Sequence, residues 1–587
     1  MKINFSKNKL IINISAGFLF CVINIIYIAY LFAFSNNIFL EVYKWSQLLA
    51  IIILCLFFIK NSAASFFTAL FIYCFYLILV TYFIFTGSEL DYPFLARNFK
   101  DIPAILPQFL LPAIVTLIAG ALSSFSIHRF KNIFKKNFPF ILPALILVGM
   151  PFITRADKLN NEFIYFIKTV GKKDKAIDYY QDNIYNNLIE QSIDNKKTLE
   201  EIRADKAKLP KYLDNIIILQ LESLNAFLVS EKNTPNFLEI AKAGIFFPKF
   251  YGNGVQTILA QENILCSLPN SFDFNLVKSG GDKKVLCLPE ALKFLGYKNI
   301  FIKSYDLKFT RTGAFMENIG FGEIHADDIM KKDDPKYLWG WREDIFYKRA
   351  FDYLGKNRQD KFNFFYIETG PTNHWQFKTP AGMEETVPFK NPKNHQERLT
   401  NTTHLQDQYL KIAWDELNEM FPEKNYTLLI LGDHSWPAEI HPDNTFNQKG
   451  NFEENFLTSM IIVLGDEKKF KGKIINSRRS EMDIMPSILE LLGAPARHNK
   501  FSSSFIDELN NEEPDNKEVN KNKILLIQPY SDKYFSIIDY PAKYQYNSEQ
   551  KIMSIYDLLA DPEEKSGRVI KDKNQILDLI KELISVE

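Results

Sequence analysis

The chain has 587 residues, with 69 basic and 69 acidic side chains and a formal net charge of +0 at pH 7. This length indicates more than one domain, and the balanced charge gives no basic field that would favour binding to nucleic acid. The composition is uneven along the chain. Residues 1–153 are rich in Phe, Ile and Leu and poor in acidic side chains, whereas residues 154–587 have the charge content of an ordinary soluble protein.

Five apolar runs within residues 1–153 predict membrane-spanning helices, because a helix of about 20 apolar residues crosses the hydrocarbon core of a bilayer. Buried helices of a soluble core are the alternative, and the succession of nearly uncharged runs argues against them. The runs lie at residues 10–34, 45–59, 64–85, 106–125 and 138–153. If the N-terminus lies in the cytoplasm and all five runs cross the membrane, the connecting segments on the cytoplasmic side hold most of the Lys and Arg residues, as the positive-inside rule requires. Five crossings then place residues 154–587 outside the cytoplasm.

Beyond the apolar region, the charged, Asn-rich residues 154–212 predict a helical connector. From residue 213 to residue 587, short apolar runs alternate with helical segments, which predicts an α/β fold with a mainly parallel central sheet sandwiched by helices. A small strand and helix subdomain is expected at about residues 520–587. The predicted strands lie at residues 216–221, 299–303, 363–367, 426–431 and 460–464, and the predicted helices at residues 235–243, 288–295, 344–354, 405–420 and 483–492.

Acidic and histidine side chains follow two of these strands, at the edge where ligands bind in parallel sheets. Glu222 comes directly after the first strand, and Asp433 and His434 follow Gly432 at the end of the fourth. A carboxylate oxygen and an imidazole nitrogen suit a divalent metal such as Mn²⁺ or Zn²⁺. The alternatives are a helix cap for Glu222 and a solvated turn for Asp433 and His434.

Two further candidates lie near the same edge. His374 follows the third strand and could assist a leaving group or bind a phosphate oxygen, although a histidine that merely closes a loop is the alternative. Thr257 follows Gly252 and Gly254 and opens a helix whose backbone N–H groups could face an anion. A threonine hydroxyl held by a metal is an activated nucleophile, and an ordinary helix N-terminus is the alternative.

The exported part contains two cysteines, Cys266 and Cys287. An isolated pair in an oxidising compartment can form a disulfide, and we predict that these two residues are joined. Two separately buried thiols are the alternative.

These motifs occur in a fixed order that resembles a known family. Leu221-Glu222-Ser223 is followed by TPNFLEIAKAGIFFPKFYGNGVQT, LCSLPN, EALKFLGYKNIFIKSYD, TNHW and LILGDHS. Over about residues 213–565 the chain resembles the sulfatase and alkaline-phosphatase superfamily, and within it the lipoteichoic acid synthase and phosphoglycerol transferase branch. The five apolar runs before an exported domain are also similar to that branch.

The resemblance implies a metal-dependent transferase of the bacterial cell (inner) membrane, with its catalytic domain in the periplasm or outside the cell. Such an enzyme moves a phosphoglycerol-type group from a membrane phospholipid to a glycan or glycerol-phosphate polymer through a phospho-threonine. One divalent metal is implied, with Mn²⁺ preferred and Zn²⁺ or Mg²⁺ as alternatives. The matching metal ligands are Glu222, Thr257, Asp433 and His434, with Thr257 also the nucleophile. The matching substrate-binding residues are His374, Trp339 and Arg342, with His441 as a further candidate.

Two departures from the sequence patterns of the superfamily argue against some of the activities that occur in it. The segment from Cys266 to Asn270 lacks the C-x-P-x-R pattern that sulfatases convert to formylglycine, which argues against sulfuric ester hydrolysis by that route. Leu221 stands where phosphoethanolamine transferases usually have glycine, which weakens that assignment. A phosphoethanolamine transferase, a phosphoester or sulfuric ester hydrolase, and a non-catalytic membrane receptor remain the alternatives at this stage.

Overall fold

The computed structural model of the chain describes residues 38–58, 61–86 and 162–170 and most of residues 174–584. The longer gaps in the last range lie at residues 200–204, 278–282, 445–451, 495–498 and 511–522. The chain divides into two compact units, Met1–Lys172 and Lys173–Glu587.

The described part of the first unit is helical. Its helices are α1 (Ile38–Phe58), α2 (Ser62–Thr86) and α3 (Glu162–Thr169). Apolar side chains such as Leu48 of α1 and Tyr73 of α2 are buried together in one cluster. Lys44 of α1 is also buried and lies 3.1 Å from a carboxylate oxygen of Glu162 in α3. The two charges compensate each other, because either one alone would be costly in an apolar interior.

Among the residues that the structure describes, no helix combines the length and apolarity that crossing a membrane requires. The spans predicted at residues 45–59 and 64–85 fall largely on α1 and α2, and the structure does not show them as spans. The spans predicted at residues 10–34, 106–125 and 138–153 lie outside the described residues. The five-helix membrane region therefore stays a prediction.

The second unit begins with a nearly continuous helix that packs into its core. It consists of α4 (Lys175–Tyr180), a π-helical turn (Gln181–Tyr185) and α5 (Asn186–Lys197). Asp174 caps α4 by accepting hydrogen bonds from the backbone N–H groups of Ala176 and Ile177. Tyr180 and Ile184 are completely buried in the main core of this unit. Part of the stretch predicted as a connector therefore belongs to the folded second unit.

The second unit is built around a large central sheet. Its strands are β1 (Asn215–Leu221), β2 (Ile245–Tyr251), β3 (Lys298–Lys303), β4 (Glu323–His325), β7 (Asn363–Glu368), β8 (Thr427–Gly432), β9 (Leu457–Leu464), β10 (Lys473–Ile474) and β11 (Arg479–Ser480), and a separate short pair is formed by β5 (Lys336–Tyr337) and β6 (Gly340–Trp341). The helices between them are α6 (Pro235–Lys242), α7 (Thr257–Cys266), α8 (Leu288–Phe294), α9 (Thr312–Asn318), α10 (Glu343–Asn357), α11 (His395–Met420), α12 (Ile484–Leu491) and α13 (Ile506–Asn510).

The strand order in the central sheet is β10-β2-β9-β8-β1-β7-β3-β4, with β11 also paired to β2. β1 runs parallel to both of its neighbours, β7 and β8. β9 runs antiparallel to β8 and to β2, so the sheet is mixed rather than uniformly parallel. The α/β prediction is confirmed, and the antiparallel β9 is the feature that the sequence did not indicate.

Helices cover both faces of this sheet, as the side chains of β1 illustrate. Ile216 and Ile218 point into one hydrophobic core, while Ile217 and Leu219 point into a second core on the other face. All four are at most 1% exposed. A strand buried on both faces has a continuous apolar sequence, which is why the pattern identified β1.

The C-terminal part forms a second, antiparallel sheet followed by a helix. Its elements are β12 (Ile524–Gln528), β13 (Tyr534–Asp539), β14 (Ala542–Asn547), β15 (Ile552–Asp557), β16 (Arg568–Ile570) and α14 (Lys573–Ile584). Leu525 and Phe535 of this sheet are buried in the same core as Ile216 of β1. The small sheet, which lies where the strand and helix subdomain is expected, therefore packs onto the main domain.

Candidate active site

The register of two central strands brings the candidate acids together. Leu221 at the end of β1 pairs with Gly432 at the end of the parallel strand β8. Glu222 and Asp433, the next residues of the two strands, therefore lie side by side at the carboxyl edge of the sheet. Gly432 is required for this close packing, because a Cβ atom at this position would lie 2.1 Å from Oγ1 of Thr458.

Three side chains at this edge form a compact group of donor atoms. One donor atom from each of Glu222, Asp433 and His434 lies within 4.8 Å of the others, and all three residues are buried. Nε2 of His434 is 3.3 Å from Oε1 of Glu222 and 3.7 Å from Oδ2 of Asp433. Nδ1 of the same ring lies 3.0 Å from the backbone oxygen of Ser435, an interaction that orients Nε2 towards the carboxylates.

Thr257 lies at the edge of this group. It is the first residue of α7, and its Oγ1 donates a hydrogen bond of 3.1 Å to Oε2 of Glu222. Gly254 lets the turn before Thr257 pack closely against Asn270, because a Cβ atom at position 254 would lie 2.6 Å from the side-chain oxygen of Asn270. Thr257 is partly exposed, unlike the three buried residues.

Burial and mutual charge set the protonation of the group. Burial raises the pKa of Asp433 to about 7, and the neighbouring Glu222 carboxylate adds to this effect. Burial opposes ionisation of Glu222 too, but the hydrogen bond and charge of His434 lower its pKa below the ordinary value. Burial disfavours the charged imidazole of His434, yet Asp433 and Glu222 raise its pKa to about 9. The two carboxylates thus need a positive charge beside them.

This donor set fits a divalent cation. Two carboxylates, an imidazole and a hydroxyl are oxygen and nitrogen ligands of the kind that Mn²⁺ and Zn²⁺ accept. Backbone N–H groups of Ser223 and His434 donate to Oδ1 of Asp433 at 2.9 and 2.8 Å and so fix the orientation of that carboxylate. The residues that could hold the ion are Glu222, Thr257, Asp433 and His434.

His374 lies near the group, together with Trp339. His374 is partly buried, and the rings of His374 and Trp339 meet edge to face at a centroid distance of 5.0 Å. Burial lowers the pKa of His374, with the charge of Glu222 acting in the opposite direction. Asn373 ties this loop to the end of β1, because its side-chain amide donates to the backbone oxygens of Glu222 and Ser223 at 3.1 and 3.2 Å.

Arg342 and His441 do not belong to the candidate metal-binding group of Glu222, Asp433 and His434. The guanidinium of Arg342 makes two hydrogen bonds, of 2.8 and 2.9 Å, to the carboxylate of Asp344. The ring of His441 stacks on Phe452 at a centroid distance of 3.7 Å and lies 3.2 Å from the backbone oxygen of Glu564. A role for either residue in substrate binding stays a prediction.

A disulfide bond joins Cys266 and Cys287, the pair proposed from the sequence. Cys266 is the last residue of α7, the helix that Thr257 begins, and Cys287 immediately precedes α8. The bond therefore links the far end of the Thr257 helix to the next helix of the same core.

Several residues that orient the site were not singled out by sequence reasoning. Gln220 donates to Oδ2 of Asp433 at 3.4 Å, and Gln406 donates to the backbone oxygen of Glu222 at 2.9 Å. Ser223 has a left-handed backbone, with φ 52°, which turns the chain after Glu222. Ser223 and Asn373 lie inside the quoted motifs and could have been found there, whereas Gln406 lies in the middle of α11 with no local signal.

Comparisons with known proteins indicate the family of the domain that carries these residues. Residues 214–494 match the sulfatase family model. Phosphoglycerol transferase I from Citrobacter koseri is 23% identical over 260 residues, which cover 37% of this chain and 33% of that protein. The chain thus spans about a third of the length of this curated relative.

Two solved structures align with most of the second unit. A protein of the alkaline phosphatase superfamily from Vibrio parahaemolyticus aligns with 69% of this chain and 96% of its own, with a TM-score of 0.51 and 18% identity. The lipoteichoic acid synthase LtaP from Listeria monocytogenes aligns with 67% of this chain and 96% of its own, with a TM-score of 0.48 and 15% identity. Residues 214–494 therefore form a domain that matches the sulfatase family, and the chain is similar to a phosphoglycerol transferase.

Proposed function

We propose that this protein is a metal-dependent transferase that moves a phosphoglycerol-type group from a membrane phospholipid to a glycan or glycerol-phosphate polymer. The observation that carries the proposal is the position of Thr257. This residue is partly exposed, and its hydroxyl lies 3.1 Å from Glu222, beside the buried donor group of Glu222, Asp433 and His434. A hydroxyl nucleophile beside a cation site is an arrangement that suits phosphoryl transfer.

In the first half of the reaction, Oγ1 of Thr257 attacks the phosphorus of the donor lipid. The bound cation, Mn²⁺ in our proposal, would polarise a phosphoryl oxygen and favour the deprotonated hydroxyl. The new bond joins Thr257 to phosphorus, and the phosphorus–oxygen bond to diacylglycerol breaks. The hydroxyl proton passes to solvent water, and the leaving oxygen takes up a proton from a water molecule beside His374.

In the second half, a hydroxyl group of the acceptor attacks the phosphorus of the phospho-threonine. The acceptor loses its proton to a neighbouring base, and Oγ1 of Thr257 regains one as its bond to phosphorus breaks. His374 is suited to take the acceptor proton, because burial lowers its pKa and keeps its imidazole neutral. Oγ1 of Thr257 takes its proton from solvent water, and His374 releases the acceptor proton to solvent, so the protein returns to its starting state after each transfer.

The similarity to Phosphoglycerol transferase I supports a phosphoglycerol head group. Trp339 is well placed to bind it, since its ring contacts His374. Arg342 is paired with Asp344, so its guanidinium would have to exchange this partner for the head group.

We also propose that the apolar N-terminal part anchors the enzyme in the bacterial cell membrane, next to its lipid donor. The support is the composition of residues 1–153 and the Lys and Arg bias of the connecting segments. Alkaline carbonate extraction of bacterial membranes tests the anchor. The protein should remain in the membrane pellet, and release into the supernatant would contradict an integral protein.

The transfer proposal is tested by incubating the detergent-solubilised full chain and Mn²⁺ with phosphatidylglycerol or phosphatidylethanolamine. Mass analysis of the peptide containing Thr257 should show added glycerol phosphate with the first lipid only. Thr257→Ala should abolish the adduct, and Thr257→Ser, which keeps a hydroxyl, should retain it. An ethanolamine phosphate adduct would make the protein a phosphoethanolamine transferase, and an adduct on a residue other than Thr257 would refute the mechanism.

A further inference from the structure

A cluster of polar side chains lies buried at the carboxyl edge of the sheet and is not used by the reaction described above. Its members are Lys303, Tyr305, Glu368 and Gln261, and each is at most 4% exposed. Lys303 ends β3 and Glu368 ends β7, and the register of these two parallel strands pairs the two residues. Gln261 lies on α7, and Tyr305 follows β3.

Glu368 is the centre of this cluster. Its Oε1 accepts a hydrogen bond from the Tyr305 hydroxyl and lies 3.5 Å from Nζ of Lys303. Its Oε2 accepts a hydrogen bond from the side-chain amide of Gln261. Nζ of Lys303 also lies 3.7 Å from the centroid of the Tyr305 ring. The buried carboxylate is thus compensated by one cation and oriented by two hydrogen-bond donors.

One arm of the cluster leads to the proposed nucleophile. Gln261 and Thr257 are four residues apart on α7, so they lie on the same face of the helix, one turn from each other. The hydrogen bond from Gln261 to Glu368 therefore connects the first turns of the helix to the end of β7. β7 pairs with β1, the strand that ends directly before Glu222, so this contact links the helix of Thr257 to the strand beside β1.

The other arm leads to His374. The ring of Tyr305 meets the Trp339 ring edge to face at a centroid distance of 4.5 Å, and Trp339 meets His374 at 5.0 Å. Gly370 packs against both aromatic rings, since a Cβ there would lie 2.8 Å from Tyr305 and 2.9 Å from Trp339. The loop that carries His374 therefore packs against the ring of Tyr305, whose hydroxyl donates a hydrogen bond to Glu368.

We propose that Glu368, paired with Lys303, is a positioning residue that sets Thr257 through Gln261 and His374 through Tyr305. The inference rests on the proposed function, because it assigns Thr257 its roles as metal ligand and nucleophile. A buried ion pair adds little net stability, since desolvation offsets the attraction between the charges. The hydrogen bonds that orient a ligand, in contrast, tune the affinity of a metal site.

The test is a double-mutant cycle on Mn²⁺ affinity of the detergent-solubilised full chain, measured by equilibrium dialysis. Gln261→Leu removes the donor to Glu368 and should weaken Mn²⁺ binding by about tenfold, the lower end of the effect of an outer-shell partner. In a Thr257→Ala background the same change should have no further effect, because the ligand that Gln261 positions is already absent. An equal loss in both backgrounds, or no loss in either, would overturn the inference.

Tyr297→Phe is the matched control. The hydroxyl of Tyr297 donates to the backbone oxygen of Leu213 at 2.6 Å, at the opposite edge of the sheet, and this buried residue is only 4% exposed. The control should lower the melting temperature without changing Mn²⁺ affinity. If it weakens Mn²⁺ binding as much as Gln261→Leu does, the effect is general loosening of the fold and the inference is wrong.

The outcomes separate this inference from the proposed function. If the wild-type chain binds Mn²⁺ but forms no adduct on Thr257 with either lipid, the transfer mechanism fails, and the affinity cycle still decides the role of Gln261 and Glu368. If the wild-type chain binds no Mn²⁺, the metal site, the proposed function and this inference all fail together.

Discussion

Glu262 on the Thr257 helix provides a test of how burial controls stability. The side chain is 1% exposed, and its Oε1 accepts hydrogen bonds from the backbone N–H groups of Leu276 and Val277. Burial raises the pKa of this carboxyl from 4.5 to about 8, although these hydrogen bonds partly oppose the shift. The folded protein therefore keeps Glu262 protonated at pH values at which the unfolded chain has lost the proton.

The sign of the pH dependence follows from this difference. A carboxyl with a raised pKa in the folded state binds the proton more tightly there than in the unfolded state. Its contribution is therefore fully present below about pH 4.5 and is lost as the pH rises to about 8. The loss is roughly 1.4 kcal/mol per pH unit within that window, which amounts to roughly 2 to 3 kcal/mol between pH 5 and pH 7.

Glu262→Gln keeps the size of the side chain and an oxygen acceptor, but it removes the titration. We expect the variant to gain stability relative to the wild type as the pH rises from 5 to 7, measured by thermal and urea unfolding at each pH. Glu239→Gln, at an exposed position on α6, is the control and should show no such trend. A stability difference for Glu262→Gln that is constant across this pH range would refute the reasoning.

Three further predictions concern the metal site and the disulfide. Gly252→Ala places a Cβ 2.8 Å from the backbone oxygen of Asp433 and should weaken Mn²⁺ binding by about tenfold. Gly355→Ala is the control, because the nearest neighbour of its Cβ would be 4.0 Å away, and it should leave Mn²⁺ binding unchanged. Equal Mn²⁺ affinities of the two variants would contradict this prediction. A chelator should lower the melting temperature of the wild type and excess Mn²⁺ should restore it, because metal binding stabilises the folded state. The melting temperature of Asp433→Asn should respond far less to either treatment. An equal response of the two proteins would argue against this metal site. Reduction of the Cys266–Cys287 bond, which closes a loop with a sequence separation of 21, should cost roughly 3 kcal/mol of unfolding free energy, and an unchanged melting temperature would contradict this.

Strand β2 shows where the apolar pattern fails. Its sequence, IFFPKFY, is interrupted by Pro248 and Lys249, and the register with β9 shifts between Phe247 and Phe250. A proline normally argues against a strand, and a bulge breaks the alternation of side chains. The strand exists because β9 on one side and the short strands β10 and β11 on the other supply its hydrogen bonds. No feature of the sequence alone shows that these partners are present.

Strand direction is a second example. The run that forms β9 is as apolar as β1, because both are buried on two faces. Burial determines this composition, and it does so equally for parallel and antiparallel strands. The antiparallel direction of β9 appears only in its pairing with β8 and β2, which the local pattern does not record.

The sequence by itself determined which chemical groups stand at the ends of the central strands. Glu222 and Asp433 directly follow continuous apolar runs, and parallel strands place such residues at one edge of the sheet. Only the tertiary structure decided which polar residues pair beneath that edge. Lys303 and Glu368 are 65 residues apart in the chain and are isolated charges in the sequence, but the register of β3 and β7 buries them together. Their pairing depends on strand order and on desolvation, and both arise only when distant segments pack.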